Sequence, residues 1–300
     1  MAWSTVYSPA KINLFLELAG RQDDGFHLLD TVMVKVSLCD TLSFRPRPDD
    51  RICLQQLPGR TPVTERLRIP LDQGNLVWQA IQALRQASGR SFGVDVIIRK
   101  NIPVAAGLGG GSGNAVVSLV TLNRLLNLGL PPTQLVEIAN RLGSDLAFFF
   151  APAAARCTGR GQQVSPLPGF RRLWLVIGSP PQGLSTARVF GQAELPGRPE
   201  SAGEFIGRWN RGMPLPPLHN RLQPAAGLLS PWIGRLRSEF DRVGCRAHQM
   251  SGSGSAWFGL FPGRRQAVRS ARCLQARMPD SRFFPVRTIG NEGHPTGLEP

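Results

Sequence analysis

The sequence predicts an α+β protein of two domains. Three observations predict it. Alternating apolar and polar residues near the N-terminus read as strands, apolar-periodic segments between residues 76 and 143 read as helices, and after residue 150 the composition shifts toward alanine, glycine and proline. At 300 residues the chain is long enough for two buried cores.

In chain order, residues 10–18 alternate for part of their length and read as a strand, followed by a turn at Asp23-Asp24-Gly25. Residues 31–44 read as a second strand pair, and Val94 to Arg99 as another strand closed by Asn101 and Pro103. Leu76 to Ala87 carries Leu76, Ala80, Ile81 and Leu84 at helical spacing. Asn114 to Leu126 repeats that spacing with Ala115, Leu119, Leu122 and Leu126. Pro131-Pro132-Thr133 opens a third helix, with Thr133 as the expected N-cap and an end near Gly143. Leu173 to Ile177 reads as a strand, Ser230 to Asp241 as a helix, Gly244 to Phe261 as strand, loop and strand, and Arg264 to Met278 as a helix. The expected division is an N-terminal domain at 1–152, a C-terminal domain at 153–288 and a disordered tail at 289–300, which has little to bury. No internal repeat stands out.

The net charge is +15, carried almost wholly by arginine, since Lys11, Lys35 and Lys100 are the only lysines. The charge is spread along the chain, with groups no denser than Arg171-Arg172 or Arg264-Arg265. A nucleic-acid binder clusters its charge on one helix or tail, so this spread argues against nucleic acid as a partner. It fits a solvated basic surface, or a positive potential that attracts polyphosphates. Cys39, Cys53, Cys157, Cys245 and Cys273 are widely spaced and form no CxxC pair, which argues against a disulfide frame or a zinc site. The first residues lack a basic and apolar leader, and the longest apolar run, Leu146 to Ala155, is shorter than the about 20 residues of a membrane crossing. A cytoplasmic protein with no membrane partner is the expectation.

Pro103, Val104, Ala105, Ala106, Gly107, Leu108, Gly109, Gly110, Gly111, Ser112 and Gly113 lie between a strand and a helix. Glycines let backbone approach a ligand closely. The helix that follows offers unpaired N–H groups and the positive end of its dipole. Together these suit a di- or triphosphate, and Ser112 adds a hydroxyl for phosphate or a magnesium ion. No Gly-Lys-Ser/Thr follows, so this is not a Walker A loop. No acidic residue stands about 20 residues on at a strand end, as a dinucleotide-binding fold requires.

The loop resembles the phosphate loop of the GHMP kinases, Pro-x-x-x-Gly-Leu-Gly-x-Gly-Ser-Ser-Asn/Ala. Pro103, Gly107, Leu108, Gly109, Gly111, Ser112 and Asn114 match, while Gly113 stands where the family has a second serine. That departure removes a hydroxyl and leaves a backbone N–H. The start of the chain, Pro9-Ala10-Lys11-Ile12-Asn13-Leu14 followed by Gly25-Phe26-His27 and Thr31-Val32, resembles the 4-diphosphocytidyl-methylerythritol kinases within that superfamily. Phe26 stands for their tyrosine, keeping a stacking face and losing a hydroxyl. Leu142-Gly143-Ser144-Asp145 resembles their Leu-Gly-Ala-Asp, and Met250-Ser251-Gly252-Ser253-Gly254-Ser255-Ala256 resembles the third superfamily motif. Asn220-Arg221-Leu222 and Leu184 to Phe190 resemble family segments less specifically.

The resemblance runs from about residue 8 to about 262. It implies a two-domain GHMP fold, with an N-terminal domain like domain 2 of ribosomal protein S5 and an α/β C-terminal domain. It implies ATP with magnesium, and a small cytidyl diphosphate acceptor. Lys11 and Asp145 are the implied catalytic pair, with Asp145 taking or orienting the acceptor's hydroxyl proton. Residues 103–113 would hold the phosphates and Asn75 and Lys100 would lie near adenine, while Asn13, Phe26, His27 and Phe190 would hold the acceptor, with Phe190 as a second face for cytosine. The metal ligands stay unassigned, and a monomer or weak homodimer is expected. Without the resemblance, Lys11 reads as surface, Asp145 as a cap for the following turn, His27 as a turn residue and residues 250–256 as a tight loop. Another GHMP kinase, for homoserine, mevalonate or a sugar, a nucleotide-binding module without catalysis and a basic RNA-binding protein remain as rival readings.

Overall fold

The computed structural model describes residues 2–58, 68–170, 172–211, 213 and 216–290. Most of the expected tail, residues 291–300, lies outside them.

Strands β1 (Ser4–Arg21) and β2 (His27–Arg47) form a long antiparallel hairpin around the turn at residues 22–26. β2 is one continuous strand, not the pair expected over 31–44. Its free edge is shared: Thr41–Arg47 pairs with β4 (Gly93–Lys100), and Leu29–Val34 pairs with β5 (Ala154–Gly159). Each half thus has its own hydrogen-bond partner, so no break is needed.

β3 (Ile52–Pro58) runs parallel to β4, joined to it through helix α1 (Leu76–Ser88). That helix buries Val77, Ala80, Ile81 and Leu84, one stripe at 3.6 periodicity. Helix α2 (Gly110–Leu125) starts four residues before the expected Asn114. Glycine's poor helix propensity argued against the earlier start. Packing overrides it: a Cβ at Gly110 would come within 3.0 Å of Ile102 and of the Lys100 ammonium. Helix α3 (Pro132–Leu142) is capped by Pro131, and Thr133 lies inside it instead of capping it. Proline at the first helical position has the right φ and loses no bond there.

β5, β6 (Gln163–Pro166) and the short β8 (His219–Asn220) all join the first sheet, whose main path is β3-β4-β2-β1-β8. The chain step at 152–153, where two domains were expected to divide, is therefore crossed by the sheet. The second sheet is antiparallel, in the order β11-β7-β10-β9, from β7 (Trp174–Ser179), β9 (Ala247–Met250), β10 (Trp257–Phe261) and β11 (Arg282–Arg287). Helices α4 (Thr186–Gly191), α5 (Ala202–Asn210) and α6 (Gln223–Leu229) fill the connection between β7 and α7. α7 (Pro231–Arg242, capped by Ser230) and α8 (Arg264–Arg277) match the helices expected there.

The layers run helix, sheet, sheet, helix. Phe44, Ile81, Leu84, Leu119 and Phe148 fill the space between the first sheet and α1–α3. Ile12, Leu14, Val34, Ile177 and Phe258 fill the space between the sheets. Leu236 and Phe240 of α7 and Leu274 of α8 pack with Trp257 of the second sheet. Ile12 and Leu14 thus bury themselves against the second sheet, and alternation along β1 turns Lys11 and Asn13 to the other side.

Ion pairs tie the later segments to the first sheet. Glu17, fully buried on β1, accepts two bonds of 2.8 Å from Arg221 and lies 3.1 Å from His219 Nε2. Burial pushes the Glu17 carboxyl up, but Arg221, the N–H groups of Leu18 and Glu200, and His219 outweigh it, so its pKa lies below the usual glutamate value. Asp30 takes a two-pronged bond from Arg156 and accepts the Ala202 N–H at the start of α5. Because the Glu17 pKa is depressed on folding, its contribution is present above the unfolded-state pKa and lost as pH falls through the folded one. Arg221→Met, which strands that carboxylate, is expected to lower stability by about 3 kcal/mol at neutral pH. The difference from wild type should fade below about pH 4, as read by urea unfolding at a series of pH values.

Candidate active site

The glycine loop is held on three sides. Below it, the Leu108 carbonyl accepts the Lys11 N–H at 2.9 Å, fixing the loop to β1. From the side, residues 250–256 close against it: Ser251 Oγ donates to the Gly107 carbonyl at 3.1 Å and the Ala256 N–H donates to the Ala106 carbonyl at 3.0 Å. Gly107 has φ +72°, and a Cβ there would sit 2.2 Å from the Ser251 carbonyl oxygen. Only glycine permits that approach. Asn220 supports the second loop from β8, donating to the Met250 and Gly252 carbonyls at 2.9 Å each. Beyond the loop, the first turn of α2 presents its N-terminus to the same space.

Lys11, 6% exposed, donates to Asn13 Oδ1 at 2.8 Å. Asn13 in turn donates to Thr31 Oγ1 at 2.9 Å, and Thr31 to the Phe15 carbonyl at 2.6 Å. This chain fixes the ammonium at the floor of the loop. A Cβ on Gly252 would come within 3.0 Å of Lys11 Nζ, so the second glycine loop meets the ammonium as well. Burial holds the Lys11 pKa below the usual lysine value, and the nearby Asp145 carboxylate offsets part of that lowering.

Asp145 follows α3 and precedes a 3-10 turn, Ala147–Phe150, that it does not cap. Its Oδ1 accepts a 3.0 Å bond from Ser112 on the first turn of α2. Lys11, Asn13, Ser112 and Asp145 therefore converge from β1, α2 and the loop after α3 around one helix N-terminus.

Several expected site residues have more local surroundings. The Asn75 side chain accepts the Val77 N–H at 2.9 Å, capping α1, and donates to the Pro70 carbonyl at 2.6 Å. Lys100 forms a buried ion pair with Asp40 under Gly110. Asp40 also accepts from the N–H groups of Asn101 and Ile102 and from Asn114 Nδ2, at 2.8, 2.9 and 3.0 Å. That cluster joins the end of β4, the entry to the loop and α2. Gly113 gives its N–H to the Gly109 carbonyl at 2.9 Å within the helix, so the donor expected to remain free for phosphate is engaged. A Cβ at 113 would meet Ser8 Oγ at 2.9 Å and the Phe149 ring at 3.0 Å, so a glycine fits tight packing there.

His27 and Phe190 come together, with ring centroids 5.4 Å apart at 44°. Burial, and then the charge of Arg21, lower the His27 pKa. Phe26 is exposed, and its ring is covered by the Arg160 guanidinium at 4.3 Å. All five cysteines are free, and no helix among the described residues is long and apolar enough to cross a membrane. Thr31 escaped sequence reasoning because its role depends on β-register. The support from Asn220 had a signal in Asn220-Arg221-Leu222, but not its mechanism. Gly107→Ala is expected to lower stability by about 2 kcal/mol or more by forcing the two loops apart, with thermal unfolding as the check.

Comparison with known proteins identifies the family. Residues 75–151 match the GHMP kinases N terminal domain and residues 198–280 the GHMP kinases C terminal domain. A 4-diphosphocytidyl-2-C-methyl-D-erythritol kinase of Syntrophotalea carbinolica is 38% identical over 274 residues, covering 90% of this chain and 94% of that protein. One of Geobacter sulfurreducens is 36% identical, covering 91% and 95%. A crystal structure of 4-(cytidine 5'-diphospho)-2C-methyl-D-erythritol kinase superposes with a TM-score of 0.79 at 30% identity, covering 96% of this chain and all of the other. The chain belongs to the 4-diphosphocytidyl-2-C-methyl-D-erythritol kinase family of GHMP kinases.

Proposed function

We propose that this kinase transfers the γ-phosphoryl group of ATP to the C2 hydroxyl of 4-diphosphocytidyl-2-C-methyl-D-erythritol. The products are the 2-phosphate and ADP, in the non-mevalonate route to isopentenyl diphosphate. The observation that carries the reading is the convergence of Lys11 and the Ser112–Asp145 pair on the N-terminus of α2.

In this reading the loop amides and the helix dipole hold the ATP phosphates. Asp145 accepts the proton of the acceptor hydroxyl or aims that hydroxyl at phosphorus. Lys11 offsets charge on the transferring phosphoryl, and Asn13 keeps its ammonium pointed there. Such transfers depend mainly on positioning and charge stabilisation. Ser112 Oγ and the Asp145 carboxylate are hard oxygen donors 3.0 Å apart. They are the oxygen donors that would hold a magnesium ion, which would neutralise charge on the phosphates. His27 and Phe190, with Phe26 at the rim, supply the aromatic and hydrogen-bonding groups for a cytosine ring. Asn75 and Lys100 would act near adenine through the placement of α1 and α2. The enzyme works in the cytoplasm as a monomer or weak homodimer, without nucleic acid or membrane.

Asp145→Asn and Lys11→Ala are each expected to lower kcat at least about 100-fold, measured as ADP release with the cytidyl acceptor. Near-normal turnover by either variant contradicts the assignment. In a panel, the cytidyl acceptor should be phosphorylated and homoserine, mevalonate and galactose should not. The reverse pattern would overturn the choice of substrate.

A further inference from the structure

Lys35 belongs to no motif above, yet its ammonium is buried beside the site. It lies opposite Lys11 in the β1–β2 register, so both side chains leave the same face of the sheet. Lys35 is 2% exposed, and its Nζ donates to the Phe149 carbonyl at 2.9 Å and the Ala151 carbonyl at 2.6 Å. Its own N–H donates to the Ala153 carbonyl at 2.8 Å, and its carbonyl accepts the Ile289 N–H at 2.9 Å. The two clamped carbonyls stand at the C-terminal end of the Ala147–Phe150 turn, where a helical segment carries its partial negative charge.

That segment borders the phosphate loop, Lys11 and Asp145. It begins just after Asp145. Its Phe149 ring lies under the glycine loop: a Cβ on Gly109 would come within 2.8 Å of the ring and 3.0 Å of Lys11 Cγ, and one on Gly113 within 3.0 Å of the ring. Burial pushes the Lys35 ammonium down to about 7. A charge so poorly solvated is costly in a place where an apolar side chain would pack. What the lysine alone supplies here is a pair of bonds to the main chain that carries Asp145 and Phe149.

We infer that Lys35 is a positioning residue, which clamps the Asp145–Ala151 segment against β2 and so sets the carboxylate and the Phe149 ring relative to Lys11 and the phosphate loop. The inference rests on the assignment of Asp145 to the reaction. Lys35→Met, of similar shape but without donors, tests it through two readouts. Hydrogen exchange without substrate should become faster at residues 144–153 and 107–113 and stay unchanged at 174–179 and 257–261. Turnover with ATP and the cytidyl acceptor should show kcat lowered about tenfold or more, with the KM for ATP within about threefold. Lys35→Gln, which keeps an N–H donor, should fall between wild type and the Met variant in both. Unchanged exchange at 144–153, equal loosening of all four segments, or a kcat within about twofold of wild type would each overturn the clamp. The exchange readout needs no acceptor, so failure of the wild-type enzyme to use the cytidyl compound would count against the substrate alone.

Discussion

Gly107 has no room for a side chain, and the site depends on that. Its φ of +72° turns the loop so that the place of a Cβ lies 2.2 Å from the Ser251 carbonyl oxygen. Two glycine-rich segments, joined by a hydrogen bond between Ser251 and Gly107 across 144 residues of sequence, thereby close into one surface. The same approach leaves Lys11 under Gly252 and bonded through its N–H to Leu108, so the ammonium, the loop amides and the second loop share one small volume. Any atom added at that contact has to push main chain, which yields far less readily than a side chain.

Around this contact the charges are arranged by burial. Lys100 and Asp40 pair inside the fold and fix where the loop begins. Glu17 with Arg221 and Asp30 with Arg156 tie the segments after residue 200 and strand β5 to the long hairpin. Lys11 is different: its ammonium donates to the neutral Asn13, and Asp145 acts on it through space while accepting from Ser112. A buried cation whose carboxylate is held by another group keeps capacity for an incoming anion. The structural pairs bond directly, whereas Lys11 and Asp145 are bonded to Asn13 and Ser112.

Much of this was legible in the sequence. Helices α1, α7 and α8 followed from apolar spacing, and α3 ends at Gly143 as expected, although Pro131 and not Thr133 stands at its N-cap. The order Lys11, glycine loop, Asp145, second glycine loop pointed to this site through its resemblance to the GHMP kinases; residue chemistry alone read Lys11 as surface, Asp145 as a turn cap and residues 250–256 as a tight loop. What could not be read depends on long-range pairing. The forked edge of β2, the membership of β5 and β8 in the first sheet and the Thr31–Asn13–Lys11 chain all depend on register. Gly110 and Gly113 read as a loop because propensity disfavours a glycine helix, whereas tight packing against Ile102, Lys100, Ser8 and Phe149 makes glycine fit there. Lys35 had no role in the sequence reading and Lys100 was expected near adenine, because their carbonyl and carboxylate partners arrive from distant strands and turns.

The central claim is that the ammonium of Lys11 and the carboxylate of Asp145 act on one transferring phosphoryl as a unit. The most direct test is single-turnover kinetics of the combined Lys11→Ala and Asp145→Asn enzyme beside each single variant. Groups that act as a unit are strongly non-additive. The account predicts that the combined variant is no slower than the worse single variant by more than about threefold. Losses that multiply would show two independent contributions and contradict it.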